Sequence, residues 1–151
     1  MTGDALELNT RVKLAVYRYF AETGEAPSAR IIAERLGLSE EAVQRNYREL
    51  RTARVLWLEP DGVTIRMAPP FSGVPTDHVV RIQERSYFAN CAWDALGIPA
   101  ALHQPAVVHS HCAGSQEPLQ LEVGLDGPTP SSWIFHSLVP AARWWQDLVF
   151  T

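Results

Sequence analysis

Near the middle of this 151-residue chain, three prolines and a glycine fall within eight positions, Ala68-Pro69-Pro70-Phe71-Ser72-Gly73-Val74-Pro75. Proline lacks the N–H a helix or central strand needs and biases the residue before it toward extended backbone. No regular element can run through that point, so an extended connection is expected there, with a module on each side. Charge divides at the same place. Residues 1–68 carry ten basic and ten acidic side chains, whereas residues 69–151 carry three basic and seven acidic, which accounts for the net charge of −4. A chain of that charge is not built mainly to coat nucleic acid. No apolar run approaches the ~18 residues of a membrane span, and the polar start MTGDALELNT does not read as a leader or anchor. The expected setting is the cytoplasm, with both cysteines as thiols.

The first module, residues 1–68, reads as three helices and a hairpin. From Thr10 to about Glu22, Val12, Leu14, Ala15, Val16, Tyr19 and Phe20 lie close to a helical stripe that Gly24 ends. Ser28 and Ser39 are placed to cap two further helices, with Gly37 between them. Val55–Leu58 and Val63–Met67 flank Glu59-Pro60-Asp61-Gly62, a strand–turn–strand signal. Helix, Gly-Leu-Ser turn, helix and hairpin make a winged helix-turn-helix. Arg45, Arg48, Arg51 and Arg54 could meet phosphates. However, the helix that would enter a groove opens on Glu40-Glu41, and the module has no net positive charge. Nucleic acid is therefore an open but not favoured partner. Packing beside the second module, or a homodimer, is the alternative role.

The second module, residues 69–151, carries the chemistry. Short strands are expected over 78–82 and 84–87. Tyr87-Phe88-Ala89-Asn90-Cys91-Ala92-Trp93-Asp94-Ala95-Leu96-Gly97-Ile98-Pro99 follows, a helix capped by Asn90 and stopped by Gly97 and Pro99. Cys91 would then lie in the first turn, where unpaired N–H groups favour a thiolate, with Asp94 on the same face. An ionised Asp94 would work against the thiolate, so a proton shared by the pair is expected. Such a pair can hold a soft metal and deliver a proton. It is equally the pattern of a buried thiol beside a carboxylate placed for the helix dipole.

Residues 86–102 resemble the active-site segment of the alkylmercury (organomercurial) lyase family: an aromatic, Cys91, two residues, Asp94, then Pro99-Ala100-Ala101-Leu102. Val107–Leu119 is similar to the next stretch of that family, with Cys112 lying 21 positions beyond Cys91. Phe135–Trp145 is similar to its Val-Pro and Trp pattern. The resemblance implies an α+β fold, a winged helix followed by a small mixed-strand and helix domain, and cleavage of carbon–mercury bonds by protonolysis. It implies Cys91 as the mercury ligand, Asp94 as the proton donor, and Cys112 as a buried structural residue. Thiolate suits soft mercury, and a neighbouring carboxyl is a positioned general acid.

The family's further catalytic cysteine has no counterpart. Gly127-Pro128-Thr129-Pro130-Ser131-Ser132-Trp133-Ile134 occupies that region. Ser131 or Ser132 is the candidate for the missing position, although a hydroxyl is a poor mercury ligand. Either an outside thiol substitutes, or activity is weak, or the scaffold serves another lyase or isomerase reaction or a regulator. No cofactor is implied. The substrate class is a small molecule. Trp93 and His136 are candidate pocket residues, whereas Trp133, Trp144 and Trp145 read as packing. His109-Ser110-His111-Cys112 does not make a closed zinc site, because on a strand the two histidines and the cysteine face opposite sides.

Overall fold

A computed structural model describes residues 3–137 and 139–146, and it is a mixed α+β structure. Helix α1, Gly3–Thr23, buries Val12, Val16 and Phe20 on one face. It begins well before Thr10, and half-buried Leu8 in the added turns packs on the core. Asn9 Nδ2 in the same turns donates to Glu49 Oε2 at 2.7 Å. Helix α2, Ala29–Leu36, starts where Ser28 Oγ accepts from the Ile31 N–H, and ends at Gly37 in the left-handed conformation (φ 66°). Helix α3, Glu40–Thr52, is capped by Ser39 in the same way and buries Val43, Tyr47 and Leu50.

Strands β1 (Trp57–Leu58) and β2 (Ile65–Ala68) form the expected hairpin. The Asp61 carboxylate closes its turn by accepting from the Val63 and Thr64 N–H groups. The seam that follows is a reversal rather than an extended connection. Pro69 and Pro70 are joined by a cis peptide bond, and β3 (Phe71–Ser72) returns antiparallel along β2. Phe71 has an apolar slot to fill, and that is what holds the seam in place. Its ring stacks on Phe20 (5.3 Å, 11°) and also meets Tyr17 and Tyr87. One apolar cluster therefore runs from α1 through Phe71 into the second half. A bridge between Phe71 and Ala89 adds a backbone tie.

The second sheet is antiparallel throughout, in the order β5-β4-β6-β7-β8. Its strands are β4 (Val79–Ile82), β5 (Arg85–Phe88), β6 (Ala106–His111), β7 (Pro118–Gly124) and β8 (Gly127–Pro128). Helix α4, Ala92–Leu102, lies against β4 and β6 and buries Ala95 and Ile98. It does not stop at Gly97 and Pro99. Pro99 sits inside the helix, which continues to a left-handed His103 (φ 50°). Proline fits helical φ and removes only one donor. Gly97 is there for close approach, since a Cβ would lie 3.2 Å from Pro70 Cβ. The seam thus packs directly on α4. Residues 129–137 run without regular structure before a 3₁₀ turn at Ala141–Gln146. Among the described residues no helix is long and apolar enough to cross a membrane.

Candidate active site

Cys91 is the N-cap of α4 rather than a first-turn residue, with extended backbone (φ −152°, ψ 177°). Its thiol does not cap the helix; it interacts with the Asp94 carboxylate one turn on. Asn90, expected as the cap, instead donates from Nδ2 to Asp94 Oδ2 at 3.0 Å. The three side chains gather at the helix start and line one cavity. Asn90 Oδ1 is buried with no hydrogen-bond partner among the described residues.

The electrostatics differ from a simple activated thiolate. The N–H groups of Trp93 and Asp94 favour the sulfur's anion. Burial outweighs them, with the Asp94 charge adding to it, and the Cys91 thiol is pushed above its ordinary value. Burial also pushes the Asp94 carboxyl up, against the hydrogen bonds from Asn90 and Cys91. Both groups are therefore held toward their protonated forms. Tyr17, whose hydroxyl donates to the Pro69 carbonyl at 3.1 Å, is pushed up to about 12 by burial and by the Asp94 charge.

A cavity of about 210 Å³ opens over Cys91 and Asp94. Asn90 and Trp93 belong to α4's own start, Met67 and Pro69 come from β2 and the seam, and Trp144 and Trp145 from the 3₁₀ turn. Of the three tryptophans expected as packing near the end of the chain, Trp133 lines a separate groove, whereas Trp144 and Trp145 are walls of this pocket. Only the tertiary fold brings them there, and no spacing in the sequence marks them. Trp144 Nε1 donates to Ser137 Oγ and to the Val139 carbonyl. Trp93 lines the pocket and packs its ring on Phe135 at 5.7 Å.

The other expected residues lie elsewhere. Ser131 lines a separate apolar groove of about 390 Å³, beside Ala92, Leu96 and Val108. Its Oγ accepts from the Trp133 N–H. Ser132 and His136 are exposed and line neither cavity. Residues 129–137 carry no ladder that would aim them at Cys91, so the Ser131, Ser132 and His136 assignments are not supported by their placement.

Cys112 is not buried. It sits just beyond β6 in the turn to β7, half-exposed, with its thiolate favoured by the Ser115 side chain and by the Gly114 and Ser115 N–H groups. Neither cysteine is in a disulfide. His78 shares a 2.8 Å hydrogen bond between Nδ1 and Ser110 Oγ. No group of three or more His, Cys, Asp or Glu side chains poised for a metal ion occurs among the described residues.

The family profile described as alkylmercury lyase (MerB) matches residues 71–151, a span that holds both cysteines and Asp94. The chain belongs to the alkylmercury lyase family. Its fold is similar to that of a crystal structure of the mercury-bound form of MerB2, with a TM-score of 0.58. The likeness covers 82% of this chain and 68% of that one at 22% identity. No curated protein matches the sequence.

Proposed function

We propose that this protein cleaves carbon–mercury bonds of small organomercurials by protonolysis, with Cys91 as the mercury ligand and Asp94 as the proton donor. The observation that carries the reading is the Cys91 thiol and the Asp94 carboxyl sharing a cavity walled by Trp93, Trp144 and Trp145. As the sulfur engages mercury, the Asp94 carboxylate beside it accepts its proton. Burial raises the basicity of Asp94, so it takes that proton and holds it beside the substrate carbon. Asn90 fixes the carboxyl orientation. The tryptophan walls supply apolar surface for the organic group and limit water. The hydrocarbon leaves and mercury stays on sulfur. An outside thiol completes the mercury coordination, because no second cysteine lines the cavity. No resident cofactor is part of the scheme, and the setting is cytoplasmic.

The test is benzene release from phenylmercury by purified protein with excess small thiol, alongside Cys91→Ala and Asp94→Ala. Turnover that survives in both variants, or is absent from the wild type, removes the reading. A lyase or isomerase reaction on another substrate of the same Cys–Asp pair is what the second outcome would leave.

A regulatory reading has one observation in its favour. Helices α1–α3 with the β1–β2 hairpin follow the order of a winged helix, and the end of α3 with the turn after it carries Arg48, Arg51 and Arg54. Salt-dependent binding to duplex DNA would favour it.

A further inference from the structure

Three cavities meet at Trp145. One, of about 440 Å³, is lined by Arg48, Arg51, Arg54, Trp57 and Trp145. A second, of about 460 Å³, shares Arg54 and Trp145 with the first and adds Lys13, Tyr17 and Pro69. The third is the Cys91–Asp94 cavity, which shares Pro69 and Trp145 with the second. The four cations therefore border a groove that adjoins the Cys91 cavity through the shared walls of Pro69 and Trp145. Arg51 lies over the Trp57 ring at 5.3 Å. No carboxylate pairs with Lys13, Arg48, Arg51 or Arg54 among the described residues, whereas Arg30, Arg35 and Arg66 each have one. Unpaired guanidinium groups around a small cleft with aromatic walls suit a carboxylate-bearing molecule.

We infer that this groove binds the carboxylate end of a small anionic thiol, whose sulfur extends into the Cys91 cavity. The inference rests on the lyase reading for what that sulfur does there, but not for the existence of the anion site. The cavity holds one thiol where mercury favours two soft ligands, and a bound thiol supplies the other. The step balances without redox: R–Hg–SR′ and the Cys91 thiol give R–H and Cys91–S–Hg–SR′. The Cys91 S–H and the carbon–mercury bond break. The carbon–hydrogen and Cys91 sulfur–mercury bonds form, and the proton travels through Asp94. Nucleic acid fits the groove less well. The opening turn of α3 carries Glu40 and Glu41, and the arginines lie at its other end, in a cleft that Trp145 walls.

The test has two arms. In the first, S-methylmercaptosuccinate, which cannot bind mercury as a thiolate, is titrated by tryptophan fluorescence and calorimetry. Wild type should bind it in a salt-sensitive way, and Arg48→Gln/Arg54→Gln should weaken binding about tenfold. In the second, phenylmercury turnover is followed with mercaptosuccinate or with neutral 2-mercaptoethanol. Mercaptosuccinate should half-saturate at about tenfold lower concentration, and the double variant should lose that preference. Absence of arginine-dependent binding overturns the proposal. So does a short DNA duplex that needs these arginines when the dicarboxylate does not bind. Equal saturation by the two thiols overturns the thiol assignment. So does a preference that appears only when the carboxylate is placed on the mercurial, as in 4-carboxyphenylmercury with 2-mercaptoethanol. Arginine-dependent binding with no benzene from either thiol leaves the anion groove standing and removes the lyase reading.

Discussion

The two cysteines of this chain sit in opposite surroundings. Cys91 starts a helix, the position usually credited with making thiolates, yet its thiol is pushed up because the cavity is buried and Asp94 is adjacent. Cys112 sits in a hairpin turn with no helix behind it, yet Ser115 and two backbone N–H groups pull its thiol down. A helix start therefore does not by itself decide thiol chemistry; desolvation and the nearest charge outweigh it here. At Cys91 the result suits protonolysis. A pair that keeps its proton until a soft metal displaces it delivers that proton to carbon, whereas a bare thiolate has none to give.

The sharpest way to break the contrast is to remove each sulfur in turn. Cys91→Ala should abolish benzene release from phenylmercury, by about 100-fold or more, while Cys112→Ala should stay within about twofold of wild type. A Cys112→Ala variant as dead as Cys91→Ala would show that the exposed cysteine is the working one.

Asp94→Asn comes next. Loss of a positioned general acid should cost about 10²–10⁴-fold in turnover. The same change should stabilise the fold at neutral pH. Because Asp94 has its folded value raised, its contribution to stability is complete below the unfolded carboxyl value and is lost as pH rises through the folded one. The neutral amide escapes that loss while still accepting from Asn90. Thermal unfolding at pH 7 and at pH 4 should show the variant's advantage only at the higher pH. A variant that melts below wild type at pH 7 would contradict the raised carboxyl.

The pH profile follows from the same pair. The last proton on the free enzyme's pair belongs to Cys91, whose value is raised. kcat/KM should therefore fall as pH climbs above the ordinary thiol range, with no loss as pH falls from 8 toward 6. An alkaline limb at or below the ordinary thiol value would mean that Cys91 is an activated thiolate after all.

Smaller effects concern reactivity without turnover. Iodoacetamide at pH 7 should label Cys112 before Cys91, as read by peptide mass mapping, since only the thiolate attacks. Ser115→Ala should slow labelling of Cys112 modestly and leave Cys91 unchanged, because it removes one of the groups that favour the Cys112 anion. Faster labelling of Cys91 than Cys112 would reverse the comparison.

Much of the scaffold was legible in advance, and for local reasons. Ser28, Ser39 and Gly37 mark helix ends because caps act on backbone groups within one turn. The Asp61-Gly62 turn declares the hairpin in the same way. The readings that failed were those where a local rule met tertiary packing. Gly97 and Pro99 read as helix stops, but Gly97 is there for the approach of Pro70, and α4 runs on to Leu102. The proline-rich seam read as an extended connection, but Phe71 carries it back along β2 into the aromatic cluster of Phe20, Tyr17 and Tyr87.

The sequence by itself determined the Cys91–Asp94 pair, because residues three apart at a helix start share a face whatever surrounds them. It also determined the helices and hairpin of the first module and, through the spacing of Cys91, Asp94 and Cys112, the family resemblance. Only the tertiary structure decided the state of that pair. Burial and the walls formed by Met67, Pro69, Trp144 and Trp145 come from segments distant in the chain. Desolvation is a property of everything packed around a group, and no local pattern encodes it.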